Sequence, residues 1–281
     1  MEKFCDLHTH SVFSDGTCTP AEIISLALDQ GLSSVALCDH NTVDGLPDFL
    51  SAARGQDIHA ICGAEFSVDF QGKELHLLGL FIPEAAFCQV SELMRAVNDA
   101  KECSNIALVE SLNRAGYSLD YGSIKAQNPT AKISRAHIAA ELTRLGYTPS
   151  IADAFQTLLR KGGGHYTEPR RLGFFQMIDF IRQLHAVPVL AHPFLNLSPG
   201  ELSQMLPAAK RRGLGGMECL YSTFSRKETD TALFLAAQNR LIPSGGSDFH
   251  GTNKPDISLG TGRGNLRIPG QWADALRRDI R

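Results

Sequence analysis

Phe4-Cys5-Asp6-Leu7-His8-Thr9-His10 is the stretch from which the rest of the chain is read. A short apolar run ends in two histidines at i and i+2. Side chains alternate along a strand with period two, so both imidazoles leave the same face. Two imidazoles delivered to one spot are a common start to a metal site. Further along stand Ser14-Asp15-Gly16, Asp39-His40-Asn41-Thr42, Gly63-Ala64-Glu65, His76, Ala191-His192-Pro193 and Ser247-Asp248-Phe249-His250. Each is expected at or just past the end of an apolar, strand-like segment. The repetition, more than any single histidine, points to a metal-dependent enzyme.

Around these motifs the first third alternates strands and helices. Strands are expected at 4–7, 34–37, 58–62 and 74–80. Thr19-Pro20-Ala21-Glu22 opens a helix with a cap, a first-turn proline and a capping box, and Gly31 stops it. A short helix follows at 46–54. Such alternation implies a parallel sheet or barrel. After Glu84 the strand signal vanishes. A long helix is expected over 85–115 and an all-helical stretch over 99–165, with turns at Gly122-Ser123, Asn128-Pro129 and Gly146-Tyr147. Gly162-Gly163-Gly164 closes it. Alternation then resumes: helix 173–185, strand 187–191, helix 199–212, strand 216–220, helix 225–240, strand 242–244, strand 264–268 and helix 271–280. The expected organisation is an α/β barrel built from 1–98 and 166–281, with a helical insertion at 99–165 as a cap.

Composition fits a globular enzyme: 281 residues, 43% hydrophobic and 20% charged. A net charge of −3 and a pI near 6.4 speak against a broad surface for duplex DNA. The seven cysteines include no Cys-x-x-Cys and read as core residues of a cytoplasmic protein, with Cys5 and Cys38 packed behind the motifs. No secretory signal or membrane span is expected.

The motifs supply nine candidate ligands: His8, His10, Asp15, His40, Glu65, His76, His192, Asp248 and His250. Nine exceed the needs of one ion and suit two or three divalent ions sharing a carboxylate. Neighbouring ions of this kind activate water and neutralise a displaced oxygen. His59 and His185 read as structural. Asp15 before a glycine also fits a turn, and Glu65 also fits a helix cap.

Together the motifs resemble the PHP family, the polymerase and histidinol phosphatase domain. The resemblance rests on His8-x-His10 with Ser14-Asp15-Gly16, Asp39-His40-Asn41-Thr42, Ala191-His192-Pro193 and Ser247-Asp248-x-His250. It implies a distorted (β/α)7 barrel and a three-ion centre, manganese first, with iron, zinc or magnesium as alternatives. It assigns His8, His10, Glu65 and Asp248 to one ion, Glu65, His76 and His192 to a second, and Asp15, His40 and His250 to the third. A hydroxide held through Glu65, His192 and Asp248 would be the nucleophile. Ile133-Ser134-Arg135-Ala136-His137 and Gly162-Gly163-Gly164-His165-Tyr166 are similar to a branch containing 3′,5′-nucleoside bisphosphate phosphatases and a 5′-to-3′ exonuclease of short RNA. That branch often has proline where His165 stands, and no role passes to His165.

Physics adds an anion site to this branch reading. Ser134 is a good N-cap, which places Arg135 and His137 in the first helical turn. Cations there oppose the helix dipole by a few tenths to about 1 kcal/mol. A bound oxyanion reverses that sign. Arg135 and His137 are therefore expected to bind substrate, with Lys132, Lys161, Arg170 and Arg171 as a possible rim. Tyr166 and Tyr221 read first as packing. The expected reaction is hydrolysis of the 3′-phosphate of a nucleoside 3′,5′-bisphosphate. The alternatives are an exoribonuclease with the same site, a C–N hydrolase that would bridge its metals by a lysine, and a non-catalytic nucleotide sensor. The expected partner is a small nucleotide or short RNA end, with no duplex DNA and no membrane.

Overall fold

In the computed structural model, residues 3–169 and 171–280 are described. The chain begins β1 (Phe4–Thr9), α1 (Pro20–Asp29), β2 (Ser34–Leu37), α2 (Leu46–Ala53), β3 (His59–Phe70) and β4 (Lys73–Leu80). Helices follow: α3 (Phe87–Arg114), α4 (Tyr121–Gln127), α5 (Arg135–Arg144) and α6 (Ile151–Gln156). Next come β5 (Leu172–Gly173), α7 (Phe174–Gln183), β6 (Val187–Leu190), α8 (Pro199–Arg212) and β7 (Gly216–Tyr221). The chain closes with α9 (Arg226–Gln238), β8 (Ile242–Gly246), β9 (Ile268–Pro269) and α10 (Gly270–Arg277). The expected capping box at α1 is formed: the Thr19 hydroxyl accepts the Glu22 N–H, and Glu22 accepts the Thr19 N–H. No helix among the described residues is long and apolar enough to cross a membrane.

The strands run in the order β8-β7-β6-β4-β3-β2-β1-β9, with β5 beside β3. The ends of this path nearly close into a barrel. The Asp248 N–H donates to the His8 carbonyl at 2.9 Å, and the His10 N–H to the Phe249 carbonyl at 3.0 Å. The sheet is not wholly parallel, however. β3 and β4 form an antiparallel hairpin, and β4 meets β6 antiparallel too. Gln71 and Gly72 make its two-residue turn with φ of 54° and 80°, both positive as such tight turns require. A Gln at the first position hides the turn from a sequence reading that looks for Asn-Gly or Asp-Gly. The tail differs as well: the strand expected at 264–268 is reduced to the pair Ile268–Pro269, and only its last residue lies in β9. Gly122-Ser123 is no turn but the start of α4, where the Asp120 carboxylate accepts both N–H groups.

Alternation along the strands divides the core. Val35, Leu37, Phe66, Leu77 and Met217 face the surrounding helices. Ala36, Ile61, Leu78, Leu80, Val187 and Val189 fill the barrel, and Leu276 of α10 packs with them. A third cluster lies apart: Leu108 and Leu112 of α3 with Ile124, Ile138, Leu142 and Ala154 from the next three helices. Helices α3 to α6 thus share an apolar core apart from that of the barrel. Position 99 nevertheless marks no break. It falls inside α3, whose Val90 and Met94 belong to the barrel's outer layer.

Candidate metal centre

Inside the barrel an apolar floor gives way to a polar mouth. On β3, Ile61, Gly63 and Glu65 point inward in turn, with Ile61 in the interior core and Glu65 at the mouth. On β4 the inward series is His76, Leu78 and Leu80, running the other way. His76 therefore stands near the start of its strand, not past the end. Glu65 lies in mid-strand, and His8 lies within β1. All three depart from the expected position. The reversal at the hairpin explains His76: the mouth collects the carboxyl ends of parallel strands and the amino end of an antiparallel one.

β1 needs a further device. Leu7 fills the barrel interior, yet its neighbour His8 also faces the mouth, and a regular strand would send them to opposite sides. The pairing with β2 shifts register between Asp6 and Thr9, and such a bulge re-aims the side chains beyond it. Gly246 makes room for the result, since a Cβ there would stand 2.2 Å from the His8 Cβ.

The nine expected residues come together around Glu65. Its Oε1 lies 2.7 Å from His76 Nδ1 and 2.9 Å from His192 Nε2. Its Oε2 lies 3.0 Å from His40 Nδ1, 3.3 Å from His10 Nε2 and 3.4 Å from His8 Nε2. Asp248 Oδ1 sits 3.2 Å from His10 Nε2, and Asp15 Oδ1 sits 3.2 Å from His250 Nε2 and 3.7 Å from His40 Nε2. Three groups of ligand atoms are compact enough for one ion each: His8, His10 and Glu65; His40, Glu65 and His76; His10, Asp15, His40 and His250. No cysteine, His59 or His185 enters these groups.

The atoms themselves test whether cations fit. Asp15 Oδ1, His40 Nδ1 and Glu65 Oε2 are buried without a hydrogen-bond partner among the described residues. Such atoms are costly when left unpaired, and a divalent ion with mixed imidazole and carboxylate ligands would satisfy all three. Backbone strain gathers here as well. Asn41, His192 and Asp248 have φ of 53°, 23° and 55°, conformations that non-glycine residues hold only where the surroundings enforce them.

The packed acids and imidazoles shift one another's proton affinities. Burial alone would raise Glu65, but His76, His40 and His8 hold it well below the usual carboxylate range. Asp15 is lowered likewise, by His40 and His250 against burial. Burial opposes charge on His10 and His76 as well, yet Asp248 and Glu65 raise His10 to about 9, and Glu65 raises His76 to about 10. Burial dominates at His40 and lowers it to about 4.

Buried carboxylates behind the cluster escaped sequence reading. Asp39 accepts the Ser11 N–H at 2.8 Å and the Ser11 and Ser14 hydroxyls, fixing the loop that bears Asp15. Asp6 accepts the N–H groups of Ser247 and Gly260. Glu218, fully buried on β7, contacts His8 and His192. For Asp6 and Glu218 the one available signal was an acidic residue inside an otherwise apolar strand, whereas Asp39 stands in the motif of His40, where its supporting role was not foreseen.

Beside the cluster opens a cavity of about 210 Å³, lined by Asp15, His40 and His76 on one side and by Lys101, Arg135 and Tyr166 on the other. Arg135 stands over the Tyr166 ring at 4.1 Å and 3.8 Å from Glu74. Arg171 lines the cavity too, but Glu74 and Glu168 hold both ends of its guanidinium at 2.7 and 2.8 Å. Lys101, unnoticed in the sequence, makes no hydrogen bond or ion pair among the described residues, and burial pulls its ammonium below the ordinary lysine value. It belongs to the long helix α3, where a lone lysine gives no signal.

His137, expected beside Arg135, is placed elsewhere. Its Nδ1 accepts the Ser134 N–H at 3.0 Å, completing a capping box, and its ring lines a different cavity with Val12, Thr17 and Glu141. Burial pushes it below the ordinary histidine value. The group bonded to the Ser134 hydroxyl is one of the chain's own carboxylates, Asp15, at 3.3 Å. Lys132 and Lys161 pair with Asp44 and Glu168 away from this cavity, and Arg170 lies outside the described residues. Tyr221 donates to Asp248.

The PHP domain family matches residues 6–161. A 5′-3′ exoribonuclease of Haemophilus influenzae is 28% identical over 251 residues, 89% of this chain and 91% of its own. A phosphoribosyl 1,2-cyclic phosphate 1,2-diphosphodiesterase of Eggerthella lenta is 29% identical, with 88% and 94% covered. A 3′,5′-nucleoside bisphosphate phosphatase of Chromobacterium violaceum is 26% identical, with 91% and 90% covered. A solved structure from Bifidobacterium adolescentis, provisionally described as a metal-dependent phosphoesterase, superposes with a TM-score of 0.87 at 25% identity, covering 99% of this chain and 96% of that one.

Proposed function

The chain belongs to the PHP domain family and is a metal-dependent hydrolase of phosphoric esters, and on that premise we propose that it removes the 3′-phosphate of a nucleoside 3′,5′-bisphosphate. Adenosine 3′,5′-bisphosphate, giving AMP and phosphate, is the favoured case. The cavity carries the reading. It sets the Lys101 ammonium and the Arg135 guanidinium in the same space as Asp15, His40 and His76. Two anionic groups on one molecule would use both sides.

The nine residues around Glu65 would hold two or three divalent ions, manganese being our choice. When bound, such ions supply an activated water and neutralise charge on the phosphoryl oxygens. Lys101 and Arg135 bind the second phosphate by charge-assisted hydrogen bonds, which orients the ribose and brings the 3′-phosphate to the cluster. Tyr166 keeps the Arg135 fork flat and aimed. Hydrolysis breaks the P–O3′ bond, and O3′ leaves with a proton. Arg171 acts through Glu74 as part of the wall, not as a free donor. We place the protein in the cytoplasm, a setting that its seven unpaired thiols support.

The exoribonuclease relative favours a second reading, in which the same wall holds the 5′-phosphate of a short RNA and the cluster cleaves the next linkage. Turnover of adenosine 3′,5′-bisphosphate against a 5′-phosphorylated oligonucleotide decides between them. Faster turnover of the oligonucleotide overturns the phosphatase reading.

A further inference from the structure

Of the long strands that surround the mouth, β7 alone supplies none of the nine residues, yet it touches three of them. We propose that β7 is the positioning strand of the centre, with Glu218 fixing His8 and His192 and Tyr221 fixing Asp248. This rests on the metal reading of the cluster and is independent of the substrate.

The Glu218 carboxylate spans two neighbours. Its Oε1 is 3.0 Å from His8 Nδ1, and its Oε2 accepts the His192 N–H at 2.6 Å. An ionised carboxylate only accepts hydrogen bonds. Facing it, a neutral His8 must carry its proton on Nδ1 and turn the Nε2 lone pair into the cluster, where Nε2 lies 3.4 Å from Glu65. The bond from His192 is charge-assisted and anchors a residue whose φ is 23°. One side chain thus sets the tautomer of one ligand and the backbone of another.

Three residues along, Tyr221 donates to Asp248 Oδ2 at 2.7 Å, and the Lys254 ammonium meets the same oxygen at 2.6 Å. Oδ1 is left toward His10. In a regular strand, positions 218 and 221 would face opposite ways. The pairing of β7 with β8 shifts register between Glu218 and Leu220, and this bulge brings Tyr221 round to Asp248. The strand therefore sits between β6 and β8 with one acceptor and one donor, each matched to its neighbour.

The test uses the full chain loaded with zinc as a diamagnetic probe. In the wild type, nitrogen-detected NMR should find His8 protonated at Nδ1. In E218Q the amide offers one oxygen to two donors, so zinc affinity measured by chelator competition should fall by about 10- to 100-fold and the His8 Nδ1–H signal should weaken or shift. Y221F should cost about 2- to 10-fold in affinity, which serves as the second arm if E218Q does not fold. His8 ligated through Nδ1, or both variants binding zinc like the wild type, would overturn the proposal. A lowered melting temperature with unchanged affinity and tautomer overturns it equally, since that marks a merely structural role. A wild-type chain that binds no zinc removes the metal reading itself.

Discussion

The mouth of the barrel and the wall raised by α3 and α5 handle opposite charges, and the chain builds them by different means. The mouth concentrates His, Asp and Glu side chains on strands and the loops just past them, most of them buried, with five histidines converging on Glu65. The wall uses long cationic side chains on helices, partly open to the cavity, and Lys101 has no hydrogen-bonded partner among the described residues. Position matters more at the mouth, because ligand atoms must converge on a point. Charge matters more at the wall, where a flexible ammonium can follow a phosphate. Disturbing the mouth should therefore abolish the reaction, and disturbing the wall should grade it.

The strongest test removes a ligand. Asp248→Ala or His192→Ala should lose metal, read by elemental analysis, and lose several kcal/mol of transition-state stabilisation, a fall of about a thousandfold or more in kcat/KM. A variant that loses metal yet keeps its rate would end the distinction between the two regions.

Proton competition should be nearly as large. The folded, metal-free protein raises His10 to about 9 and His76 to about 10. Groups raised in this way stabilise the metal-free fold fully below the ordinary histidine pKa, and that stability is lost as pH rises through 9 to 10. Metal binds the neutral imidazoles, so the same protons must leave. Apparent metal affinity should climb as pH rises toward this window, by up to about two decades per unit below it, where both protons are displaced, and level off above it. Calorimetry in buffers of different ionisation enthalpy counts the protons directly. The melting-temperature gap between loaded and metal-free protein should widen from pH 6.5 toward 9.

The two regions were not equally legible in the sequence. The nine residues of the mouth stand in short motifs whose spacing is set by strand geometry, and the structure brings all nine into one cluster. What misled was direction: nothing near Gln71-Gly72 announced a hairpin, so the strand expected at 74–80 gave no sign that it runs antiparallel and brings His76 to the mouth from its amino half. Long-range partners were also invisible. Glu218 and Asp6 lie in apolar strands and meet their partners only through barrel closure. The wall was hardest, because Lys101 sits on an exposed-looking helix and Arg171 differs from Lys161 only by which carboxylates fold onto it. The long helical stretch was legible as an absence of strands, whereas the boundary expected at 99 falls inside α3, which carries the chain across it without interruption.

At the wall, effects should be graded. Lys101→Ala and Arg135→Ala each remove a charge-assisted bond of about 1.5–3 kcal/mol, which predicts a rise in KM for the bisphosphate of roughly 10- to 100-fold. Metal content should not change. Turnover of an aryl phosphate, which lacks a second phosphate, should stay close to the wild type. If both substrates suffer alike, these cations serve the reacting phosphate, and the division between wall and mouth fails.

His137 sharpens the comparison with the smallest effect. It neighbours Arg135 in sequence and in helix α5, and sequence reasoning gave the two one role. Structurally, its Nδ1 is committed to the Ser134 N–H and its ring lies outside the cavity that Arg135 lines. His137→Ala should therefore destabilise the insertion by about 1 kcal/mol through the lost capping bond, seen as a lower melting temperature. His137→Gln restores the residue type that a capping box ordinarily carries at this position and should recover most of that loss. Neither variant should move KM for the bisphosphate. A raised KM in His137→Gln with the stability recovered would place the ring on the substrate after all. The helix terminus, and not the cavity alone, would then be part of the anion site.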